Sequence, residues 1–320
     1  MPTLWGTTAL VGLHAGLFSP YTRRSRYGAR MVTQEQLAAL DLLIWLKTTE
    51  QAAQLAFSNQ STICRRTQAV LRQFGLKLER GESGRRPAGD LALLDLERQV
   101  HQQARFRGHH PLRLHVPYWT RREALRDLPE GWCANPLSPD LVCDDPVTLL
   151  REHILDACLV TPTQLPACQD DLVLVDLYRS PIQLILFPRS DDHPTNVRDR
   201  FWWQQENGRL DLLLMPFLPE SCRQRSSDWF KRLEAGPGSA PDRLRRLEPS
   251  PYAGQSLTVA FLTPEMRAAQ DLPGQVEDTV PPYPYVERLA VLADHATEPA
   301  VLRLQEQLVA RFARQAAWIA

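Results

Sequence analysis

Between positions 59 and 66 the chain reads Asn59-Gln60-Ser61-Thr62-Ile63-Cys64-Arg65-Arg66. Short polar side chains are followed, one helical turn later, by two cations. That order suits a helix that meets a nucleic-acid groove end-on. Amides and hydroxyls reach base edges, and guanidinium groups on the flank hold phosphates. Gln60 can pair through two hydrogen bonds with adenine, and Arg65 or Arg66 with guanine. Farther on, Arg80, Arg85 and Arg86 flank the turn sequence Gly81-Glu82-Ser83-Gly84, where cations would meet backbone or minor groove. The candidate DNA-facing residues are therefore Asn59, Gln60, Ser61, Thr62, Arg65, Arg66, Arg80, Arg85 and Arg86. The competing reading is a solvated polar helix in a protein-contact domain.

A second constellation follows Leu112–Val116, an apolar run of strand type. After Pro117 come Tyr118 and Trp119, then Thr120-Arg121-Arg122-Glu123, which has the pattern of a capping box. A helix N-terminus just beyond the C-terminal end of a strand is where open α/β sheets hold ligands. Its free N–H groups and dipole favour an anion. Tyr118 and Trp119 offer flat apolar walls, and the crossover Thr161-Pro162-Thr163 would face them. Tyr118, Trp119, Thr120, Thr161 and Thr163 are accordingly candidate contacts for a small carboxylate, aromatic by preference. The alternative is that Thr120 only caps its helix and Trp119 belongs to a core.

The bulk properties narrow the choice. A chain of 320 residues suggests two folded units, since domains commonly hold about 100–200 residues. Net charge is formally zero, but arginine outnumbers the acids from Arg65 to Arg126, while Asp140 to Asp192 is rich in aspartate. One part therefore suits a polyanion and the rest does not. Six cysteines without a Cys-x-x-Cys pair read as reduced, buried thiols of a cytoplasmic protein. No metal or cofactor site is expected: Asp191-Asp192-His193 before Pro194, like Asp170-Asp171, reads as an acidic turn. No apolar run reaches membrane-spanning length. Neither Gly-x-Ser-x-Gly, a phosphate loop nor Gly-x-Gly-x-x-Gly is present, so no catalytic residues are assigned and an α/β enzyme is the weaker alternative.

The elements that must position these residues begin at Thr33. Thr33-x-x-Gln36 and Thr48-x-x-Gln51 are capping-box patterns that open two helices. A third helix runs from Gln60 to Phe74, stopped by Gly75. Three short helices with a tight turn before the third describe a helix-turn-helix, and Leu76–Leu78 with the arginine-flanked turn resembles a wing. Asp90 to Arg107 is an amphipathic helix whose narrow stripe Leu93, Leu96, Val100 suits a seam between two copies. Beyond it, strands at Leu112–Val116, Leu155–Thr161, Leu172–Asp176, Pro181–Phe187, Leu210–Leu214, Leu257–Leu262 and Val286–Leu292 alternate with helices at Asp145–Ile154 and Glu298–Ile319. That alternation predicts an α/β unit with a largely parallel sheet. Residues 219–256, rich in Pro, Arg, Ser and Gly, give no pattern. Residues 1–31 are read as a disordered leader outside the fold, with Met31 as the natural start.

The run Ala52-Ala53-Gln54-Leu55-Ala56-Phe57-Ser58-Asn59-Gln60-Ser61-Thr62-Ile63-Cys64-Arg65, continued to Gly75-Leu76-Lys77-Leu78-Glu79-Arg80 and Ala88-Gly89, resembles the DNA-binding domain of LysR-type transcriptional regulators. Weaker similarity follows through Leu149–Val160, Leu177–Ile182, Phe187–Pro194 and Val259–Pro264. The chain departs from the family's pattern at Asn59, at Leu78-Glu79, at Pro87 and before the paired alanines. The resemblance implies a winged helix-turn-helix over 32–88, a linker and dimerisation helix over 89–110, and a two-lobed effector domain like periplasmic binding proteins over 111–320. Lobe one would hold 111–160 plus 265–320, and lobe two 165–260. It further implies binding to double-stranded DNA as a homodimer or homotetramer, with a small-molecule effector between the lobes. A thiol-based redox sensor using Cys158 or Cys168 is the other regulatory reading.

Overall fold

The computed structural model of the chain describes residues 32–81, 84–117, 120, 125–137, 145–188, 200–205, 208–213, 257–263, 275–277 and 283–316. The expected leader, Tyr118, Trp119, the Asp191–His193 turn and the patternless 219–256 stretch lie outside these residues.

Helix α1 (Gln34–Leu46) starts where the sequence says it should. Thr33 Oγ1 accepts from the Gln36 amide, and the Thr33 amide donates to Gln36 Oε1, so the box is closed in both directions. Helix α2 (Thr49–Leu55) makes half of its box. Thr48 Oγ1 accepts from the Gln51 amide at 3.2 Å, but Gln51 Oε1 is buried without a partner. Helix α3 (Gln60–Phe74) ends at Gly75, which takes φ 69° in the left-handed region and lets the Leu76 amide reach the Leu71 carbonyl at 2.8 Å. The chain then forms an antiparallel hairpin, β1 (Lys77–Gly81) and β2 (Gly84–Ala88), in register Arg80↔Arg85. Gly89 follows at φ 133°, so close to Leu76 that a Cβ would stand 2.9 Å from its Cδ2. The backbone angle favours glycine there, and a larger residue would also push the Leu76 side chain aside.

Helix α4 (Ala92–Phe106) is amphipathic in an unusual sense. Its buried face is Leu94, Arg98, Gln102 and Arg105, largely polar, and its apolar stripe Leu93, Leu96 and Val100 is 57–64% exposed. The polar face is buried because it meets opposite charge. Arg98 Nε donates to Asp41 of α1 at 3.0 Å, with both side chains 1% exposed. Arg105 donates through Nε and Nη2 to the two oxygens of Asp156, each at 2.8 Å. Desolvating such charges is costly, and only close, fully hydrogen-bonded partners offset it.

The α/β unit is built on β3 (Leu112–His115), β4 (Trp132–Ala134), α5 (Pro146–Arg151), β5 (Ala157–Val160), β6 (Leu172–Pro188), β7 (Arg200–Gln205), β8 (Gly208–Leu213), β9 (Leu257–Leu262), β10 (Gln275–Glu277), β11 (Tyr283–Leu292) and α6 (Pro299–Ala316). The strands lie in the order β4-β3-β5-β11-β6-β9-β8-β7, with β10 also on β6. The expectation of a largely parallel sheet is wrong. Among the described residues only β3–β4, β3–β5 and β8–β9 run parallel, and the other five pairings are antiparallel. The two strands expected at Leu172–Asp176 and Pro181–Phe187 are one long strand. Its first part pairs with β11, and its last residues, Gln183–Pro188, pair with β9, so β6 joins two groups of strands.

The period-two alternation of strands sorts side chains between two cores. Cys158 and Val160 of β5 and Ala290 of β11 pack with α1, α3 and α5, whereas Ala157, Leu159, Leu289 and Val291 pack with α6. Along β3, Leu112 and Leu114 join the α6 side. Arg113 and His115 therefore point to the α1 side, where Arg113 meets Asp41 and His115 Nδ1 accepts from Trp45 Nε1 at 3.1 Å. Burial pushes the His115 imidazole down to about 3, which keeps that acceptor neutral. Helix α1 is consequently covered on nearly every side, with Leu37, Leu40, Leu43 and Trp45 all buried, and one apolar cluster runs from the three helices into α5 and β5.

This arrangement makes Asp156 more important than surface acids. It accepts two bonds from Arg105 and one from the Arg113 amide. Asp156→Ala is expected to cost about 3–5 kcal/mol, because it leaves a buried guanidinium without its counter-charge. Asp171→Ala, which breaks the exposed pair with Arg151, should cost less than about 1 kcal/mol. Urea unfolding of the full chain at pH 7 measures both, and equal losses would contradict the ranking.

Candidate nucleic-acid interface and effector cleft

The turn before α3 is tight. Phe57 sits at φ 48°, and the Ser58 amide returns to the Ala53 carbonyl at 2.9 Å. Asn59 then caps α3: its Oδ1 accepts from the Thr62 amide at 2.8 Å and from Ser61 Oγ at 2.7 Å. Asn59 therefore uses its oxygen to fix the helix start, which leaves its amide NH₂ as the group facing outward. Gln60, Ser61 and Arg65 are exposed, and Arg65 Nη2 donates to Thr62 Oγ1 at 3.1 Å. Arg66 lies about a quarter-turn farther round, half-buried against α1, where it lines a cavity with Glu35. The exposed stripe instead continues through Cys64, Gln68 and Arg72. Sequence reasoning missed Gln68 and Arg72, although their spacing from Arg65 places them on its face.

The hairpin divides its arginines. Arg80 and Arg85 are exposed and sit opposite one another. Arg86 Nη1 donates to Glu152 Oε2 at 2.8 Å, tying the hairpin to the end of α5. Burial raises the Glu152 carboxyl, and the Arg86 and Arg98 charges pull it back down. Of the nine sequence candidates, Gln60, Ser61, Arg65, Arg80 and Arg85 share open surface, Asn59 and Thr62 build the helix start, and Arg66 and Arg86 turn inward.

The second constellation forms at the C-terminal ends of the parallel strands β3 and β5. Thr120 and Thr161 are both buried, and Thr163 is exposed. Thr161 Oγ1 and Thr163 Oγ1 are 2.9 Å apart, and the Thr161 amide donates to Gln164 Oε1. A residue that the sequence reading missed completes the group. The Thr120 hydroxyl donates to the carboxyl of Glu287, which also accepts from the Tyr285 hydroxyl at 3.1 Å. Because Arg288 pairs with Val160, Glu287 stands beside Thr161. Glu287 belongs to an alternating strand, where a lone acid reads as solvent-facing, and only the packing of β11 between β5 and β6 reveals its burial.

The thiols separate too. Cys158 is buried in β5, but Cys64 and Cys168 are exposed, which corrects the expectation of uniformly buried cysteines. Cys64 sits on the outer face of α3, and Cys168 sits in the turn that follows the 162–164 helical turn. No helix among the described residues is long and apolar enough to cross a membrane.

Burial pushes the Glu287 carboxyl up to about 7, against the hydrogen bonds from Thr120 and Tyr285. The folded chain therefore keeps a proton that an unfolded glutamate releases near 4.5. Stability should fall as pH rises through this window, by roughly 3 kcal/mol in all. Glu287→Gln should flatten that slope and be the more stable form at pH 8. Denaturation series from pH 5 to 8 test this, and a slope unchanged by the substitution would assign the pH dependence elsewhere.

No protein-family model and no curated protein matches the chain. Among solved structures it is similar to full-length OxyR from Pseudomonas aeruginosa, at 17% identity over 87% of this chain and 98% of that one, TM-score 0.39. It is similar to the full-length LTTR LysG from Corynebacterium glutamicum with bound effector Arg, at 14% identity over 88% and 98%, TM-score 0.37. It is also similar to Vibrio fischeri DarR in complex with DNA, described with the LTTR family, at 14% identity over 87% and 99%, TM-score 0.39. LysG and DarR are both described as LTTR proteins.

Proposed function

We propose that the chain is a divergent LysR-type transcription regulator, whose three helices and hairpin act as a winged helix-turn-helix. The observation that carries this reading is the start of α3. Gln60, Ser61 and Arg65 are exposed on a helix whose first turn is fixed by the Asn59 cap, with the exposed cations Arg80 and Arg85 on the adjoining hairpin. A pre-ordered polar helix end flanked by cations matches the major groove and its phosphates.

The apolar stripe of α4 supplies the second contact, with another copy of the chain. Leu93, Leu96 and Val100 are exposed while the opposite face is held by ion pairs, so the stripe is free to pack against its equivalent. Two copies would present two recognition helices to a two-fold operator. An effector would sit by Thr120, Thr161 and Thr163, between the two groups of strands joined by β6. A protonated Glu287 would not repel a ligand carboxylate there. Such a ligand acts by binding one arrangement of the lobes more tightly than another.

Because the core of α1 continues into the α/β unit, the full chain is the species to test. In mobility-shift assays on genomic fragments, the protein should select specific duplexes, and Gln60→Ala should weaken the selected site by ~1–3 kcal/mol. Absent or unselective binding would reject the reading. Separately, Leu96→Asp with Val100→Asp should leave the fold intact and weaken self-association in sedimentation, since a buried unpaired charge is costly. An unchanged association state would place the contact on another surface.

A further inference from the structure

A cavity of ≈ 280 Å³ lies between α1, the turn and start of α3, the end of α4 and the strands β3 and β4. It does not include Thr120, Thr161 or Glu287. Its walls are mainly apolar, with Leu37, Leu42, Leu55, Ile63 and Pro111 among them, but two buried guanidinium groups, Arg105 and Arg113, also line it. Their side chains are only 4% and 8% exposed.

The hydrogen bonds of these cavity-lining arginines are incomplete. Arg113 donates through Nη1 to the Ile154 carbonyl at 3.1 Å and reaches Asp41 only at 3.5 Å. Its Nε and Nη2 have no protein acceptor among the described residues. Arg105 spends Nε and Nη2 on Asp156 and the His153 carbonyl, and its Nη1 has no such acceptor either. The charges do not balance. Arg98, Arg105 and Arg113 converge on two buried carboxylates, Asp41 and Asp156, and Arg98 holds Asp41 more closely than Arg113 does. The Glu152 and Asp95 carboxylates stand 3.7 and 3.8 Å from Arg98, away from the cavity.

We infer that this cavity binds a small amphipathic carboxylate, its anionic end on Arg113 and Arg105 and its apolar body against Leu37, Leu42 and Ile63. The fit is one of charge and of shape: a planar guanidinium with two open N–H directions takes a carboxylate through paired bonds, and apolar walls take a hydrocarbon tail. Apart from Asp41, which Arg98 and Arg113 already engage, the other polar groups do not oppose it at depth. Burial holds His101 and His110 below the usual imidazole range and pushes the Cys133 thiol up to about 11, so all three are uncharged at neutral pH. Arg113 itself is held below the usual guanidinium range, first by burial and then by the Arg105 charge, as expected of a cation short of its counter-charge. Two acids line the cavity: Asp41, whose carboxylate is engaged by Arg98 and Arg113, and Glu35, which is exposed beside Arg66.

Octanoate is the probe. Titrated calorimetrically into the full chain, it should bind one saturable site and raise the unfolding temperature. Uncharged 1-octanol should bind about tenfold more weakly or worse. Ala38→Phe fills the cavity without touching an ion pair, and Arg113→Gln removes the charge. Each should weaken octanoate by about tenfold or more, and Ala38→Phe decides the matter if Arg113→Gln does not fold. Thr120→Ala should leave octanoate affinity unchanged. No binding up to about 10 mM, equal binding of octanol, or binding lost in Thr120→Ala but kept in Ala38→Phe would overturn the assignment. None of these readouts involves DNA, so failure here and failure of the regulatory reading are separable.

Discussion

Three arginines, Arg98 and Arg105 from α4 and Arg113 from β3, enter the joint between the helical part and the sheet and meet Asp41 and Asp156 there. The other parts are placed around that meeting. Charges this far from water are tolerated only in one geometry, so the pairs fix the rotation of α4, the height of α1 over the sheet, and the turn before β5. A purely apolar joint of the same area would allow slippage that these bonds forbid. Gln102 extends the same constraint. Its amide donates to the Leu155 carbonyl, and its oxygen lies 2.6 Å from His153 Nδ1 and 3.0 Å from His295 Nε2, which ties α4 to the far end of β11.

This joint decides which face of each helix is left for partners. With its polar face committed inward, α4 can only present Leu93, Leu96 and Val100 outward. With α1 held between α3 and the sheet, α3 turns Ile63, Val70 and Leu71 inward and Gln60, Arg65, Gln68 and Arg72 outward. Arg66 and Arg86 carry the same charge as Arg65 and Arg85 but are oriented toward the joint. Position along the helix or hairpin, not residue type, separates a contact with a partner from a contact with the rest of the chain.

Much of the helical part was legible because its signals are local. The Thr33 box, the Asn59 start and Gly75 bound α1 and α3 as read, and the stripe on α4 needed only its spacing. The sheet was less legible. The gap left between Asp176 and Pro181 is bridged in the structure, where residues 178–182 continue the pairing with β11 and Pro181 lies opposite Pro284. Strand direction was invisible, since an apolar run looks the same in a parallel or antiparallel neighbour. The buried network was hidden as well. Arg98, Gln102 and Arg105 look like the solvent face of α4, and only the partners brought by α1 and the 153–156 turn show otherwise. Around Thr120 the threonines were legible from strand ends, whereas Glu287 arrives from 167 residues away and has no local signature.

The central claim is that, of the arginines of α3 and the hairpin, the outward ones and not the inward ones meet DNA phosphates. The dependence of duplex affinity on salt measures this residue by residue, because each lost phosphate contact lowers the slope of log K against log salt by about 0.9. For alanine substitutions in the full chain, the slope should fall by about that amount for Arg65, Arg80 and Arg85 and stay at the wild-type value for Arg66 and Arg86. Equal losses at Arg66 and Arg86, or a wild-type slope after removing Arg65, Arg80 and Arg85, would contradict the account.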